Sequence, residues 1–189
     1  MKKLTLKSSG LAFVVLLLTG SIQQSCTEEN LNEGVLLTAE AKGRVSDLKS
    51  ELQLVRKHTA RFHSFDQAEK EGYAEPLPFN PSPYIPYMGF HYINVGKIDA
   101  TFDMTEPEIL LYVPNEDGEL KLVGIEYAVP MALSPEAPEG FSGDEDEWEA
   151  NPNVAGGSWT LHVWLYKDNP NGIFASQNPD VPVSNPAGS

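Results

Sequence analysis

Five prolines within a short segment divide this chain into two parts with different folding constraints. They stand at positions 76, 78, 81, 83 and 86. Proline lacks a backbone N–H and has a fixed φ angle, so residues 76–86 can form neither the interior of a helix nor a central strand. We predict an extended crossing loop here, in which Tyr84 and Tyr87 pack against the rest of the chain. Helical patterns precede this segment, and strand patterns follow it.

Before the prolines, the sequence predicts two helices. Thr38 is a suitable N-cap for the first helix, which we expect to extend to about Phe62. Apolar residues recur on one stripe of that amphipathic helix, at Val45, Leu48, Leu52 and Val55. A capping box at residues 64–67 begins the second, short helix, and Gly72 ends it. His63 therefore lies in the corner between the two helices.

After the prolines, alternating and apolar segments predict an antiparallel sheet. The predicted strands cover residues 89–95, 108–113, 120–129 and 159–167. The sequence Asn-Glu-Asp-Gly between the second and third strands is typical of a hairpin turn. The predicted fold class is α+β, with an N-terminal amphipathic helix and a short second helix followed by an antiparallel sheet that could close into a barrel-like shape. Residues 38–189 form a single domain, which ends in an irregular tail.

The chain is strongly acidic. Its 27 acidic residues outnumber 13 basic ones, and the formal net charge is -14. Such a surface repels nucleic acid, so we expect no nucleic-acid partner. Seven of the acids lie between positions 136 and 149, within a long loop at residues 135–153. We predict that this loop is solvated and mobile, because the nearby cations are too few to pair with all seven carboxylates.

The first 25 residues have the organisation of an export signal. Lys2 and Lys3 form a basic segment before an apolar run at residues 11–18, which is too short to span a bilayer. The only cysteine of the chain, Cys26, follows a stretch of small and polar residues. A lone thiol at this place is best explained as a lipid attachment point, with residues 26–37 as a tether. The alternative is an ordinary secretory signal with an incidental cysteine.

This segment resembles a Bacteroidetes-type lipoprotein signal, a class that tolerates Gln23 where leucine is usual. The following Thr-Glu-Glu resembles the acidic tag of lipoproteins that reach the cell surface. We therefore expect an exported protein whose partner is the membrane, through a lipid on Cys26. The expected location is the outer membrane, at the cell surface or facing the periplasm.

Three predicted strands each carry one ionisable residue among small or aromatic neighbours. These residues are His91, Glu126 and His162. Alternation places Gly124 and Ala128 on the face of the carboxylate, where they leave room for a bulky group. It places Trp164 and Tyr166 on the face of the second histidine. If the three faces converge, the sheet contains a pocket with two imidazoles and a carboxylate.

Imidazole and carboxylate groups together suit one transition-metal ion, such as zinc, iron, manganese or copper. We name His91, Glu126 and His162 as candidate metal ligands, and His63 as a residue that could complete the set. A small ligand is a second possible occupant of the pocket. The alternatives are that each histidine makes a structural hydrogen bond, or that Glu126 pairs with Arg61.

Longer phrases of the sequence resemble an uncharacterised family of exported bacterial proteins. They are residues 58–63, 88–92, 107–112, 123–127, 161–165 and 169–174, and they include M-G-F-H-Y, L-H-V-W-L and N-P-N-G-I-F. The resemblance runs from about residue 58 to residue 181 and implies no particular activity or cofactor. Relatives often carry a cysteine after the Asn-Pro-Asp-Val phrase, where this chain has Pro182.

These observations favour a lipid-anchored, extracytoplasmic binding module with a metal or small-ligand pocket. A metal-dependent enzyme, either a hydrolase or an oxygenase, could use the same residues. A surface interaction protein without a small-molecule site is the third hypothesis. The sequence contains no G-x-S-x-G motif and no glycine-rich phosphate loop before a helix, so no catalytic motif selects among these hypotheses.

We predict that Cys26 is acylated and that the mature protein begins at this residue. Metabolic labelling with a fatty-acid analogue should mark the wild-type protein, and Cys26→Ala should abolish the label because no second thiol is present. Equal labelling of the two proteins, or a mature N-terminus at another residue, would contradict the prediction.

Overall fold

A computed structural model of the protein describes residues 28–77 and 83–188. The chain separates into two units, residues 1–38 and residues 39–189. The predicted signal and Cys26 lie outside the described residues. In the part of the chain that the structure describes, we find no helix with an apolar stretch sufficient to span a bilayer.

The first helix, α1, spans Glu28–Thr59 and continues as a 3₁₀ turn at Ala60–His63. It begins well before Thr38, so the predicted N-cap is wrong and residues 28–37 of the predicted tether are helical. Alanine and glutamate are strong helix formers, and their presence around Thr38 allows the helix to pass through this position. The predicted end near Phe62 is confirmed only in part, because the backbone tightens into the 3₁₀ turn there.

The apolar stripe of α1 packs against the core over the C-terminal half of the helix. Leu52 and Val55 are buried, and Leu48 packs partly against the same core. Val45 is 65% exposed, so the predicted stripe is one residue too long. At the end of α1, a hydrogen bond of 2.8 Å joins the hydroxyls of Thr59 and Tyr166.

The second helix, α2, spans Phe65–Lys70, with Ser64 at its N-cap position. Gly72 follows with a φ of +98°, the left-handed conformation that commonly ends helices. The position of the predicted short helix is therefore confirmed. The capping box does not form as predicted, since the Ser64 side chain makes no cap hydrogen bond to the described residues. Instead, Phe65 in the first turn packs edge-to-face against Tyr112.

Within the described residues, seven strands form one antiparallel sheet that curls into a half-barrel. They are β1 (Glu75–Pro76), β2 (Tyr84–Ile85), β3 (Gly89–Ile93), β4 (Ile109–Pro114), β5 (Leu120–Pro130), β6 (Glu149–Asn151) and β7 (Ser158–Val163). Their spatial order is β1-β3-β4-β5-β7-β6, and β2 pairs with the opposite end of β3. The predicted α+β class with a barrel-like antiparallel sheet is confirmed.

The proline-rich segment contributes two short strands at one edge of the sheet. Both β1 and β2 pair with β3, so the predicted crossing loop contains edge strands, a position that tolerates proline. Tyr84 is buried, and its hydroxyl donates a hydrogen bond of 3.0 Å to the Pro182 carbonyl. The predicted packing of Tyr84 is confirmed, whereas Tyr87 is 38% exposed.

Both faces of the central strands are buried. One face packs against the helices and contains Leu110, Tyr112, Ile125, Tyr127, Leu161 and Val163. The opposite face carries a second apolar cluster that includes Ile109, Leu111, Ala128 and Trp164. A β-bulge places Val123 in this second cluster, although strict alternation would place it on the first face. Tyr166 lies on the helix side, contrary to prediction, because β7 ends before it.

The acidic loop is anchored to the rest of the domain. Phe141 within it is buried, and Ser142 donates hydrogen bonds of 2.8 and 2.6 Å to the carboxylate of Glu51 in α1. Residues Glu149–Asn151 form β6 against β7, so the predicted loop at 135–153 is wrong at its C-terminal end. Most of its acids are exposed, as predicted.

We predict that Val55→Ala lowers the free energy of unfolding by about 2 kcal/mol, because it removes two buried methyl groups and leaves a cavity. Val45→Ala, on the same helix, should change it by less than about 0.5 kcal/mol, because a solvated side chain loses little on truncation. Urea denaturation followed by circular dichroism measures both. Equal effects of the two substitutions would show that α1 does not pack through Val55.

Candidate metal centre

Three strands position His91, Glu126 and His162 on one buried face of the sheet. Glu126 of β5 lies directly opposite His162 of β7 in the antiparallel register. His91 of β3 pairs with Leu111 of β4, so one strand lies between it and β5. His91 and Glu126 therefore reach each other across β4, as two long side chains on one face can do.

The three side chains converge at their polar tips. His91 Nε2 lies 3.4 Å from His162 Nε2, and Glu126 Oε2 lies 3.6 Å from the first nitrogen and 3.8 Å from the second. A point equidistant from the three atoms is about 2.1 Å from each, and bonds from zinc to imidazole or carboxylate are about 2.0–2.2 Å long. This buried group could therefore hold a metal ion.

Burial controls the protonation of the group. The exposed fractions of His91, Glu126 and His162 are 2%, 1% and 5%. Desolvation lowers the pKa of His91 to about 4 and, together with the neighbouring imidazole, the pKa of His162 to about 3. Desolvation raises the pKa of Glu126 to about 8, and the Thr160 hydroxyl beside it partly opposes this increase. Near pH 7, without a cation, both imidazoles are neutral and the carboxyl is largely protonated.

The surroundings of the three residues are mostly apolar. The Trp164 ring stacks beside His162, with planes 14° apart and centroids 6.3 Å apart. A methyl group added to Gly124 would lie 3.3 Å from Leu111 Cδ1 and 2.8 Å from the Val163 carbonyl oxygen. Protein atoms therefore occupy the space beside Gly124, where the sequence predicts room for a bulky group.

His63 is not brought to this group. It lies exposed in the 3₁₀ turn, and its ring packs edge-to-face on Tyr166 with 4.4 Å between the centroids. The prediction that His63 completes the site is corrected, since Tyr166 packs on the helix side of the sheet. The alternative pairing of Glu126 with Arg61 is also wrong, because Arg61 donates hydrogen bonds of 2.7 and 2.8 Å to Glu71.

Two positions beside the site were not selected from the sequence. Thr160 is 1% exposed, precedes His162 by two residues on the same face of β7, and pairs with Ala128, two residues from Glu126 in β5. The alternation of β7 places Thr160 on the face of His162, which could have drawn attention to it. Threonine is, however, common in strands for its β-propensity alone. Gly89 contacts the site through a hydrogen bond between its backbone and His91. Every residue has such a backbone group, so the sequence gives no signal for this contact.

Comparison with known proteins adds no assignment. No protein-family model, curated protein or solved structure matches this chain.

We predict that the ion-free protein loses stability as the pH rises from 6.5 to about 8. The folded state retains the Glu126 proton up to about pH 8, whereas the unfolded chain releases it near 4.5, so stability falls through that interval. Glu108 acts in the same direction, because burial raises its pKa to about 7. His91 and His162 have the opposite effect on stability, and only below about pH 6.5. There the unfolded chain takes up protons that the folded imidazoles do not bind.

Glu126→Gln should flatten this decline, because it removes one of the two titrating carboxyls. Glu147→Gln is the matched control, since its side chain is exposed. Urea unfolding at several pH values in the presence of a chelator measures the effect. An unchanged slope in Glu126→Gln would show that its carboxyl does not titrate in this range.

Proposed function

We propose that this protein is an exported, lipid-anchored binding module that holds one transition-metal ion between His91, Glu126 and His162. The observation that supports it best is the convergence of three buried donor atoms around one point about 2.1 Å from each, within the range of about 2.0–2.2 Å for zinc bonds to such ligands. Imidazole nitrogen and carboxylate oxygen are donors that zinc, iron, manganese and copper accept.

A cation would resolve the energetic conflict within the group. Among the described atoms, Glu126 Oε2 has no hydrogen-bond donor, and a buried polar atom without a partner costs about 1–3 kcal/mol, or more when charged. The imidazole nitrogens are 3.4 Å apart, which is long for a direct hydrogen bond. Neutral imidazole and ionised carboxylate are the forms that bind metals, so an ion could satisfy all three atoms together.

The burial of the donors favours binding of an ion over turnover of a substrate. A catalytic metal site keeps one coordination position open to a reactant. Here every donor residue is at most 5% exposed, and the neighbouring space is filled by Leu111 and Trp164. The enzyme hypothesis would require these side chains to move before a substrate could approach.

The N-terminal sequence supports the exported and lipid-anchored part of the proposal. An apolar run followed by the single cysteine is the pattern of a lipoprotein signal. The net charge of -14 adds a general attraction for cations outside the membrane. The interaction-protein hypothesis explains this charge equally well, but it leaves the convergence of three buried donors without a purpose.

We predict that the full-length protein, purified in detergent without a histidine tag or chelator, contains close to one transition-metal ion per chain. His91→Ala and His162→Ala should each lose the ion, because each removes one of three donors. His58→Ala and His63→Ala are matched controls that should retain it. Elemental analysis measures metal content, and circular dichroism confirms that each variant is folded.

Adding metal at 100 times its Kd should stabilise the stripped wild-type protein by about 2.7 kcal/mol. The two ligand variants should show no such increase. Absence of metal from the wild type, with a melting temperature unchanged by zinc, iron, copper or manganese, would leave the structural-histidine hypothesis standing. Metal that persists in His162→Ala would show that the ion is bound by other ligands than those named.

A further inference from the structure

We infer that the ion is zinc, held in a closed site with four ligands at most, in which Thr160 positions the Glu126 carboxylate. This inference rests on the proposed function and specifies its ligand. A zinc ion held in this way is redox-inert and cross-links β3 to β5 and β7.

The donor separations favour low coordination. Ligands about 2.0–2.1 Å from a tetrahedral ion lie about 3.3–3.4 Å apart, whereas neighbours in an octahedron of about 2.1 Å bonds lie about 3.0 Å apart. The observed separations are 3.4, 3.6 and 3.8 Å. They equal or exceed the tetrahedral value, so a tetrahedral ion would need small inward shifts of these side chains and an octahedral ion would need larger ones.

The neighbours of the donors offer few further ligands. An octahedral ion would need three more, from protein or water. Leu111 lies opposite His91, Ile109 lies opposite Glu126, and Trp164 stacks on His162. These apolar groups leave little room for more than one coordinated water, which would be the fourth ligand of a tetrahedral ion. Zinc is the common ion that accepts four ligands without a preference from its d-electrons.

Thr160 is the polar exception on this face. Its side chain is 1% exposed, it pairs with Ala128 two residues from Glu126 in β5, and its hydroxyl oxygen has no hydrogen-bond partner among the described atoms. Partners of this kind orient a metal ligand, and their removal commonly lowers metal affinity about 10–100-fold. A buried hydroxyl without a partner, on the face of the carboxylate, can donate to Glu126, and we therefore assign Thr160 a positioning role.

Cobalt and nickel substitution tests the coordination directly. Chelator-stripped full-length protein is titrated with Zn²⁺, Co²⁺ and Ni²⁺. An unconstrained site binds Ni²⁺ more tightly than Co²⁺, whereas a closed tetrahedral site should reverse this order by about tenfold or more, because nickel prefers tetragonal or higher coordination. The Co²⁺ form should also show the strong visible absorption of a tetrahedral complex.

Two substitutions test the role of Thr160. Thr160→Val keeps the shape of the side chain and should weaken Co²⁺ binding about tenfold while retaining the tetrahedral spectrum. Thr160→Ser keeps the hydroxyl and should retain wild-type affinity, which a purely packing role would not predict. Thr101→Val, at an exposed position, is the control for substitution itself.

The outcomes separate the inference from the proposed function. No binding of any of the three ions would overturn the zinc assignment, and the proposed function as well if iron, copper and manganese also fail to bind. Binding with Ni²⁺ tighter than Co²⁺, or a weak octahedral Co²⁺ spectrum, would retain a metal site and overturn the zinc assignment. Equal affinities of Thr160→Val and wild type would overturn the positioning role alone.

Discussion

The structure depends on the burial of β5 on both of its faces. From Leu122 to Pro130 every residue of this strand is buried. An antiparallel strand with one solvated face could direct a carboxylate toward water, but β5 has no such face. The polar carboxyl of Glu126 must therefore find its partners on other strands. The nearest polar groups there are the imidazoles of His162 and His91. The candidate metal centre is thus part of the core rather than an addition to its surface.

The register that brings the donors together is maintained by apolar residues on the opposite face. Leu161 and Val163 flank His162 in sequence and pack on the helix side of the sheet. A slip of one residue would turn these side chains away from the helices and His162 away from Glu126. Hydrophobic packing on one face therefore positions the polar groups on the other.

Hydrogen bonds connect the helical layer to the sheet and to the acidic loop. The buried Tyr112 hydroxyl donates a hydrogen bond of 2.6 Å to the Phe62 carbonyl. Glu51 in α1 accepts two hydrogen bonds from Ser142, which fixes the acidic loop against the helix. These contacts hold the helices and the loop against the sheet, while most acids of the loop remain exposed. A buried cation site is consistent with this arrangement, in which most acids of the loop are exposed and Glu126 is buried.

The sequence by itself determined the α+β order and the four main strands, because local periodicity reports which face of an element each side chain occupies. The same alternation grouped His91, Glu126 and His162 with small or aromatic neighbours, but it left open whether the three faces converge. Periodicity does not report where a strand ends, so only the structure moved Tyr166 to the helix side. The exclusion of His63 and the 3.4 Å approach of two imidazoles across β4 were likewise decided by tertiary structure. Such contacts depend on the register and curl of strands that are distant in sequence, which no local pattern records.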